Sequence, residues 1–108
     1  MDIENSKAQM RKGVLEYCIL ALLASNDSYA PDIIKKLKES SLIVVEGTLY
    51  PLLTRLKNDG LLIYRWEEST MGPPRKYYSL TQKGREFLGE LHDSWNKLIL
   101  TVNNIVNS

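Results

Sequence analysis

Residues 48–63 constrain the fold of this chain more than any other part of its sequence. When residues 48–59 are wound as a helix, Leu49, Leu53 and Leu56 form one apolar stripe, because side chains three and four residues apart share a helix face. Gly60 is a residue type that commonly ends helices, and the apolar run after it is typical of a β-strand. The segment therefore predicts a short amphipathic helix over about residues 46–59 that leads directly into a strand.

The outer face of this helix carries side chains of the kinds that bind nucleic acids. It presents hydroxyl groups, an aromatic ring, an amide, a proline and a cation, namely Thr48, Tyr50, Pro51, Thr54, Arg55 and Asn58. Hydroxyl, amide and guanidinium groups reach phosphates and base edges, and arginine can bond guanine through two donors. Tyr50, Thr54 and Arg55 are the leading candidates for DNA contacts. For Arg55 the alternative is a surface ion pair with Asp59, four residues on in the less favourable order.

The N-terminal half predicts two further helices. A polar segment, residues 1–7, is expected to fray, and helices are predicted over about residues 8–24 and 29–40. The β-prone run 42–45 is a candidate for a short first strand.

The segment after Gly60 predicts a β-hairpin. Residues 61–68 and 75–80 are rich in Leu, Ile, Tyr and Trp and are predicted strands, and residues 69–74 have the composition of a turn. Helices followed by such a hairpin are typical of a winged helix-turn-helix. Residues 8–80 are therefore predicted to form a winged helix-turn-helix DNA-binding domain of a mainly helical α+β fold.

The last predicted helix, residues 82–106 behind the N-cap candidate Thr81, is too long for a domain of this size to cover. At roughly 1.5 Å per residue it is about 35 Å long. Its apolar side chains recur every three or four residues in a heptad pattern, the apolar seam: Leu88, Leu91, Trp95, Leu98, Val102 and Ile105. An uncovered seam predicts association, so residues 81–108 are expected to dimerise the chain as one unit with the first helix. Folding of this helix back over the first helix is the alternative, and both arrangements stay open.

Composition excludes several classes of protein. The 108 residues include 44% hydrophobic and 25% charged side chains, which indicates one globular domain. The net charge of +1 excludes a histone-like basic field, so DNA binding would depend on local clustering or on a dimer. The only cysteine, Cys18, lies in an apolar run and predicts a buried free thiol in a reducing compartment. That run, residues 14–24, is too short and too interrupted by Glu16 to span a membrane, so a cytoplasmic location is expected.

Three segments, residues 48–56, 59–62 and 72–84, closely resemble the PadR family of bacterial transcriptional regulators. The resemblance extends over about residues 13–95, and the single C-terminal helix is similar to the smaller PadR-like subgroup. It implies a homodimeric repressor whose recognition helix enters the major groove of operator DNA while the hairpin wing lies near the minor groove or backbone. It also implies a response to small aromatic or amphiphilic compounds.

The resemblance also points to a tyrosine near the second helix. Many family members have a Gly-Tyr pair at the start of that helix, and the tyrosine is taken as a DNA-backbone contact. Here Ala30 and Pro31 stand in its place, and Tyr29 is the candidate substitute.

Two cations in the hairpin are further candidates for DNA contact. Arg75 and Lys76 directly follow the Gly-Pro-Pro run, at the predicted tip or just inside it, where phosphate contacts would position the protein. A solvated strand end is the alternative. Tyr77 and Tyr78 are expected to point to opposite faces of the strand, one into the core.

Trp95 is the candidate ligand-binding residue of the seam. Two copies of this tryptophan near a dimer axis could stack on a flat aromatic effector. Simple packing in the dimer core is an equally good interpretation of the same residue.

Catalysis finds no support in the sequence. The chain has one histidine, His92, and no metal-ligand cluster, phosphate loop or nucleophile motif, so no enzyme activity, metal or cofactor is expected. The predicted function is a ligand-responsive DNA-binding repressor. The alternative is a winged-helix protein-interaction or architectural DNA-binding module without a ligand response, which the near-zero net charge leaves open.

Overall fold

A computed structural model describes residues 1–108 as four helices and a three-stranded antiparallel sheet, which confirms the α+β prediction. Strand β3 is central and pairs with β2 on one side and with the very short β1 on the other. None of the helices is long and apolar enough to cross a membrane. The elements in chain order are α1 (Ile3–Ser25), β1 (Ser28–Tyr29), α2 (Ala30–Glu39), α3 (Glu46–Asn58), β2 (Leu62–Ser69), β3 (Gly72–Leu80) and α4 (Gln82–Val106).

Helix α3 has the predicted apolar stripe and the predicted stop. Leu49, Leu53 and Leu56 are fully buried. Gly60 has a φ of +81°, in the left-handed region where glycine is favoured. Its N–H donates to the carbonyl of Lys57, and the N–H of Leu61 donates to the carbonyl of Leu56. This pair of bonds is a Schellman motif, which satisfies two carbonyls at the end of α3 and turns the chain into β2.

The core lies where α1, α2 and α3 meet the base of the hairpin. Because α1 is apolar on several sides in its second half, it contributes more fully buried side chains than α2 does. The largest fully buried side chains outside α3 are Ile19, Leu20, Leu23 and Ile33. The hairpin closes this core with Leu61, Leu62, Tyr78 and Leu80. Tyr78 is buried and its neighbour Tyr77 is only half-buried, as the alternation of the strand predicts.

Helix α4 starts directly against the corner between α3 and β2. Thr81 is its N-cap, as predicted, and accepts a hydrogen bond from the N–H of Gly84 at 3.0 Å. The Thr81 hydroxyl also donates to the carbonyl of Gly60 at 2.7 Å, and its N–H donates to the carbonyl of Leu61 at 3.0 Å. A Cβ atom on Gly84 would lie 2.2 Å from the Leu61 carbonyl oxygen. Only glycine allows the helix to approach the corner this closely.

The predicted strand at residues 42–45 is wrong. These residues have no strand partner, and the third strand is β1, whose Ser28 and Tyr29 pair with Tyr78 and Tyr77. A β-prone composition favours extended backbone, but a strand also requires a neighbour. Tyr29 accordingly belongs to β1 and precedes α2, instead of starting it.

The bounds of the first helix and of the hairpin turn also differ from prediction. Helix α1 begins at Ile3, because the Asp2 carboxylate accepts from the N–H of Glu4 and caps a segment that was expected to fray. The hairpin turn contains only residues 70–71, and the Gly-Pro-Pro run lies inside β3. Prolines are tolerated there because β1 pairs only with Tyr77 and Tyr78, so this part of β3 has an unpaired edge.

The single thiol is less buried than predicted. Cys18 is half-buried, and this burial raises the pKa of its thiol. The thiol is therefore protonated at neutral pH and a poor nucleophile.

Replacing Gly84 by alanine should destabilise the protein, because the added methyl group would collide with the Leu61 carbonyl. We expect a loss of about 1–3 kcal/mol in the free energy of unfolding, the usual cost of overpacking. Urea denaturation followed by circular dichroism measures it. The matched control is Gly89→Ala on the same helix, where the added Cβ meets nothing within 4 Å. That substitution should stabilise the helix slightly, and equal losses for both variants would contradict the close-contact explanation.

Candidate nucleic-acid interface

The structure brings the six predicted residues of α3 onto one exposed surface. Because the leucine stripe is buried, the opposite side of the helix faces solvent along its whole length. Pro51 is inside the helix, so its ring removes one backbone hydrogen bond there. The six exposed residues are Thr48, Tyr50, Pro51, Thr54, Arg55 and Asn58.

Arg55 lies at the edge of this surface that faces α1. Its Nη2 atom donates to Oε2 of Glu16 at 2.8 Å, a bond between α3 and α1. The predicted alternative partner of Arg55, Asp59, is therefore wrong. Side chains four residues apart on a helix can pair, but here a carboxylate on the neighbouring helix lies within reach.

Tyr50 lies at the opposite edge, which faces the hairpin. Partial burial raises the pKa of its phenol, and Glu46, Tyr29 and Tyr78 raise it further by their charge. The phenol is therefore protonated at neutral pH and available as a hydrogen-bond donor. Tyr29, the candidate substitute for the family tyrosine, thus lies near α3.

The two hairpin cations lie on opposite faces of the wing, the hairpin formed by β2 and β3. In the strand register Arg75 lies opposite Glu67 and Lys76 lies opposite Trp66, so both residues lie inside β3 and away from the turn. The Arg75 guanidinium is 5.1 Å from the ring centre of Tyr29. These two candidates are therefore in contact, on the face of the sheet that also carries the Tyr29 side chain.

Lys76 belongs to an aromatic cluster on the other face. Its ammonium lies 4.0 Å from the ring centre of Tyr64, 5.5 Å from that of Tyr78 and 5.8 Å from that of Trp66. Lys57 of α3 lies 5.6 Å from the same Tyr64 ring. The cluster thus connects the wing to the recognition helix.

Sequence reasoning missed Lys57, Tyr64 and Trp66. The signal that could have identified them is the alternation of β2 opposite β3, where Tyr64 pairs with Tyr78 and Trp66 with Lys76. That register follows from a two-residue turn together with a β-bulge between Glu67 and Ser69, and the predicted six-residue turn does not produce it.

Arg65 is a cation of the wing that other groups of the chain already neutralise. Its guanidinium donates to Glu67 at 2.8 and 3.0 Å and to Asp27 at 2.6 Å. Hydrogen bonds to Glu67 first, and then to Asp27, raise the pKa of Arg65. Asp27 lies between α1 and β1, so its bond with Arg65 attaches the wing to the helical part of the domain.

The apolar seam of α4 is covered along its first half only. Leu88 and Leu91 are half-buried against the core, whereas Leu98, Val102 and Ile105 are 53%, 45% and 70% exposed. The fold-back over α1 and an uncovered surface, which the sequence left as alternatives, are therefore both present, on different halves of the helix.

A groove of about 480 Å³ separates α1 from α4 at this point. Trp95 is half-buried in it, and its ring centre lies 6.2 Å from that of Tyr17 on α1. The Tyr17 hydroxyl is hydrogen-bonded to Nδ1 of His92 at 2.7 Å. The remaining lining is mostly apolar and includes Met10, Val14, Leu98 and Val102. The groove can accept an apolar or aromatic group.

The helices, the wing and the exposed face of α3 define a winged helix-turn-helix protein. The model of the PadR-like family of transcriptional regulators matches residues 19–90. The chain belongs to this family, whose members are transcriptional regulators and not enzymes.

Solved structures of relatives agree with this assignment. A PadR-like transcription factor from Bacteroides fragilis is 70% identical over 94% of this chain and 98% of its own, with a TM-score of 0.78. A PadR-like regulator from Bacillus cereus is 40% identical over 93% of this chain and 98% of its own, with a TM-score of 0.82. A PadR-family regulator from Eggerthella lenta is 29% identical over 98% and 93% of the two chains, with a TM-score of 0.91.

Proposed function

We propose that this chain is a cytoplasmic, homodimeric repressor that binds operator DNA and releases it in response to a small aromatic or amphiphilic effector. Residues 8–80 would form the DNA-binding domain, and residues 81–108 the dimerisation helix. The observation that carries the proposal is the exposed polar face of α3 beside the aromatic and cationic surface of the wing.

Direct reading of bases is assigned to α3. Thr48, Tyr50, Thr54, Arg55 and Asn58 supply hydroxyl, phenol, guanidinium and amide groups on a helix narrow enough to enter the major groove. Pro51 would add an apolar contact on the same face.

Positioning on the DNA backbone is assigned to the wing. Arg75, Lys76 and Tyr29 would contact phosphates, which orient the protein without reading sequence. This division would let a chain with a net charge of only +1 bind DNA through a few local cations, with Lys57 and Lys76 beside Tyr64 and Arg75 beside Tyr29.

Dimerisation is assigned to the apolar seam of Leu88, Leu91, Trp95, Leu98, Val102 and Ile105. Its exposed half presents Leu98, Val102 and Ile105 at heptad spacing, which fits the same face of a second copy. Trp95 lies beside this half and inside the groove, so an effector bound there would contact both α1 and the dimer surface.

A second candidate function is a winged-helix protein-interaction or architectural DNA-binding module without a ligand response. The near-neutral charge and Trp66, a residue that is 63% exposed, favour this candidate. It predicts no preference for an operator sequence.

Fluorescence-anisotropy titration at ~0.15 M salt should show tighter binding to the DNA upstream of the protein's own gene than to a scrambled duplex. Binding to both should weaken as salt is raised. Arg55→Ala should reduce the operator preference by about 5- to 150-fold, the equivalent of one bidentate arginine–guanine contact. Arg75→Ala should weaken binding to both duplexes equally.

The charge-matched control for this titration is Arg85→Ala, since Arg85 lines a pocket with Ala21 and Ala24 of α1 and is not on the exposed face of α3. It should leave both affinities nearly unchanged. Equal wild-type affinity for the two duplexes would reject the proposal in favour of the second candidate.

Leu98→Glu should dissociate the dimer, because two buried carboxylates would face each other across the apolar seam. Light scattering after size-exclusion chromatography measures the mass. Leu100→Glu is the matched control, since Leu100 is 65% exposed on the same helix but outside the seam. A dimer that survives Leu98→Glu, or that Leu100→Glu disrupts equally, would place the interface elsewhere.

Trp95 fluorescence should change when a planar aromatic compound binds the groove. The second tryptophan, Trp66, is first replaced by phenylalanine so that the emission reports on Trp95 alone. The same compound should weaken operator binding. An unchanged spectrum across planar cationic and phenolic compounds, in an intact dimer, would remove the effector from the proposal.

A further inference from the structure

The ion pair between Glu16 and Arg55 links α3 to a carboxylate on α1. A carboxylate is negatively charged, so Glu16 is not itself expected to contact DNA. From this ion pair we infer that Glu16 is a specificity-determining residue that acts through Arg55. Its carboxylate holds the guanidinium in one orientation at the edge of α3, so that the arginine meets DNA already aligned. This inference rests on the proposed DNA-binding function.

The geometry of the pair leaves Arg55 free to bind DNA without leaving Glu16. One nitrogen, Nη2, donates to one oxygen, Oε2, at 2.8 Å. A guanidinium has five N–H donors in a rigid fork, and this bond occupies one of them. The remaining donors are available to a phosphate or a base edge.

The burial of the two side chains shows which of them is the anchor. The Glu16 side chain is 33% exposed and that of Arg55 is 61% exposed. Glu16 follows the buried Leu15 on α1 and precedes the buried Ile19 and Leu20 by one turn, so its backbone is fixed by the core. The carboxylate is therefore the fixed partner, and the guanidinium is the outward one.

Alignment of a long side chain matters for base discrimination. An unrestrained arginine samples many rotamers, and it loses this freedom when it bonds a base through two donors. Its charge alone attracts any DNA, whatever its orientation. A restraint on Arg55 should therefore act on the preference for the operator more than on overall affinity.

The test is Glu16→Gln, with operator and scrambled duplexes titrated side by side. Removal of a carboxylate near DNA should strengthen binding to both duplexes, but the ratio of the two affinities should fall about two- to fivefold, the range expected for a surface ion pair. The matched control is Glu39→Gln, which removes an exposed carboxylate from the end of α2 without touching Arg55. It should leave the ratio unchanged.

The coupling to Arg55 is tested in the Arg55→Ala background. There Glu16→Gln should no longer alter the ratio, because the side chain that it restrains is gone. A ratio that Glu16→Gln and Glu39→Gln change equally would overturn the inference and leave only a charge effect. Circular dichroism on each variant shows whether the fold is intact.

A measurement on the DNA-free protein separates this inference from the proposed function. Nitrogen NMR of the Arg55 guanidinium should show slow rotation in the wild type and fast rotation in Glu16→Gln. Fast rotation in the wild type would overturn the inference, even if the operator preference is confirmed. If the wild type shows slow rotation but no preference for the operator over the scrambled duplex, the proposed function is rejected instead.

Discussion

Burial of three leucines on one side of α3 is the constraint on which the rest of the structure depends. Leu49, Leu53 and Leu56 are fully buried against α1, α2 and the hairpin base, so the position of α3 is set by packing and not by its polar residues. Because that side faces the core, the opposite side must face solvent. The polar face is thus presented rigidly, on a helix whose own stability does not depend on what it binds.

The wing shows how a nearly neutral chain can keep cations without carboxylate partners on one hairpin. Arg65 is neutralised by Asp27 and Glu67, whereas Arg75 and Lys76 lie over aromatic rings and have no carboxylate partner in the structure. Contact with the face of an aromatic ring holds a cation in place without cancelling its charge. The wing therefore separates cations that build the fold from cations that remain available to a phosphate.

The sequence predicted the elements whose signals are local. Four helices, both long strands, the Thr81 cap and the turn at Gly60 follow from periodicity and from end-of-helix residues, and the structure has all of them. It did not predict β1, because a two-residue strand has no periodicity and exists only through its pairing with β3. For the same reason the partner of Arg55 was missed, since Glu16 lies 39 residues away and only packing brings it near.

The close approach at Gly84 fixes how α4 is oriented relative to α3. Helix α4 is rigidly attached to the corner that ends α3, through hydrogen bonds of Thr81 and the close approach of Gly84 to the Leu61 carbonyl. Its axis therefore has a fixed direction relative to the recognition helix. In the proposed dimer two such rigidly attached helices would fix the distance between the two copies of α3. An operator would then be defined by the distance between its half-sites as much as by their bases.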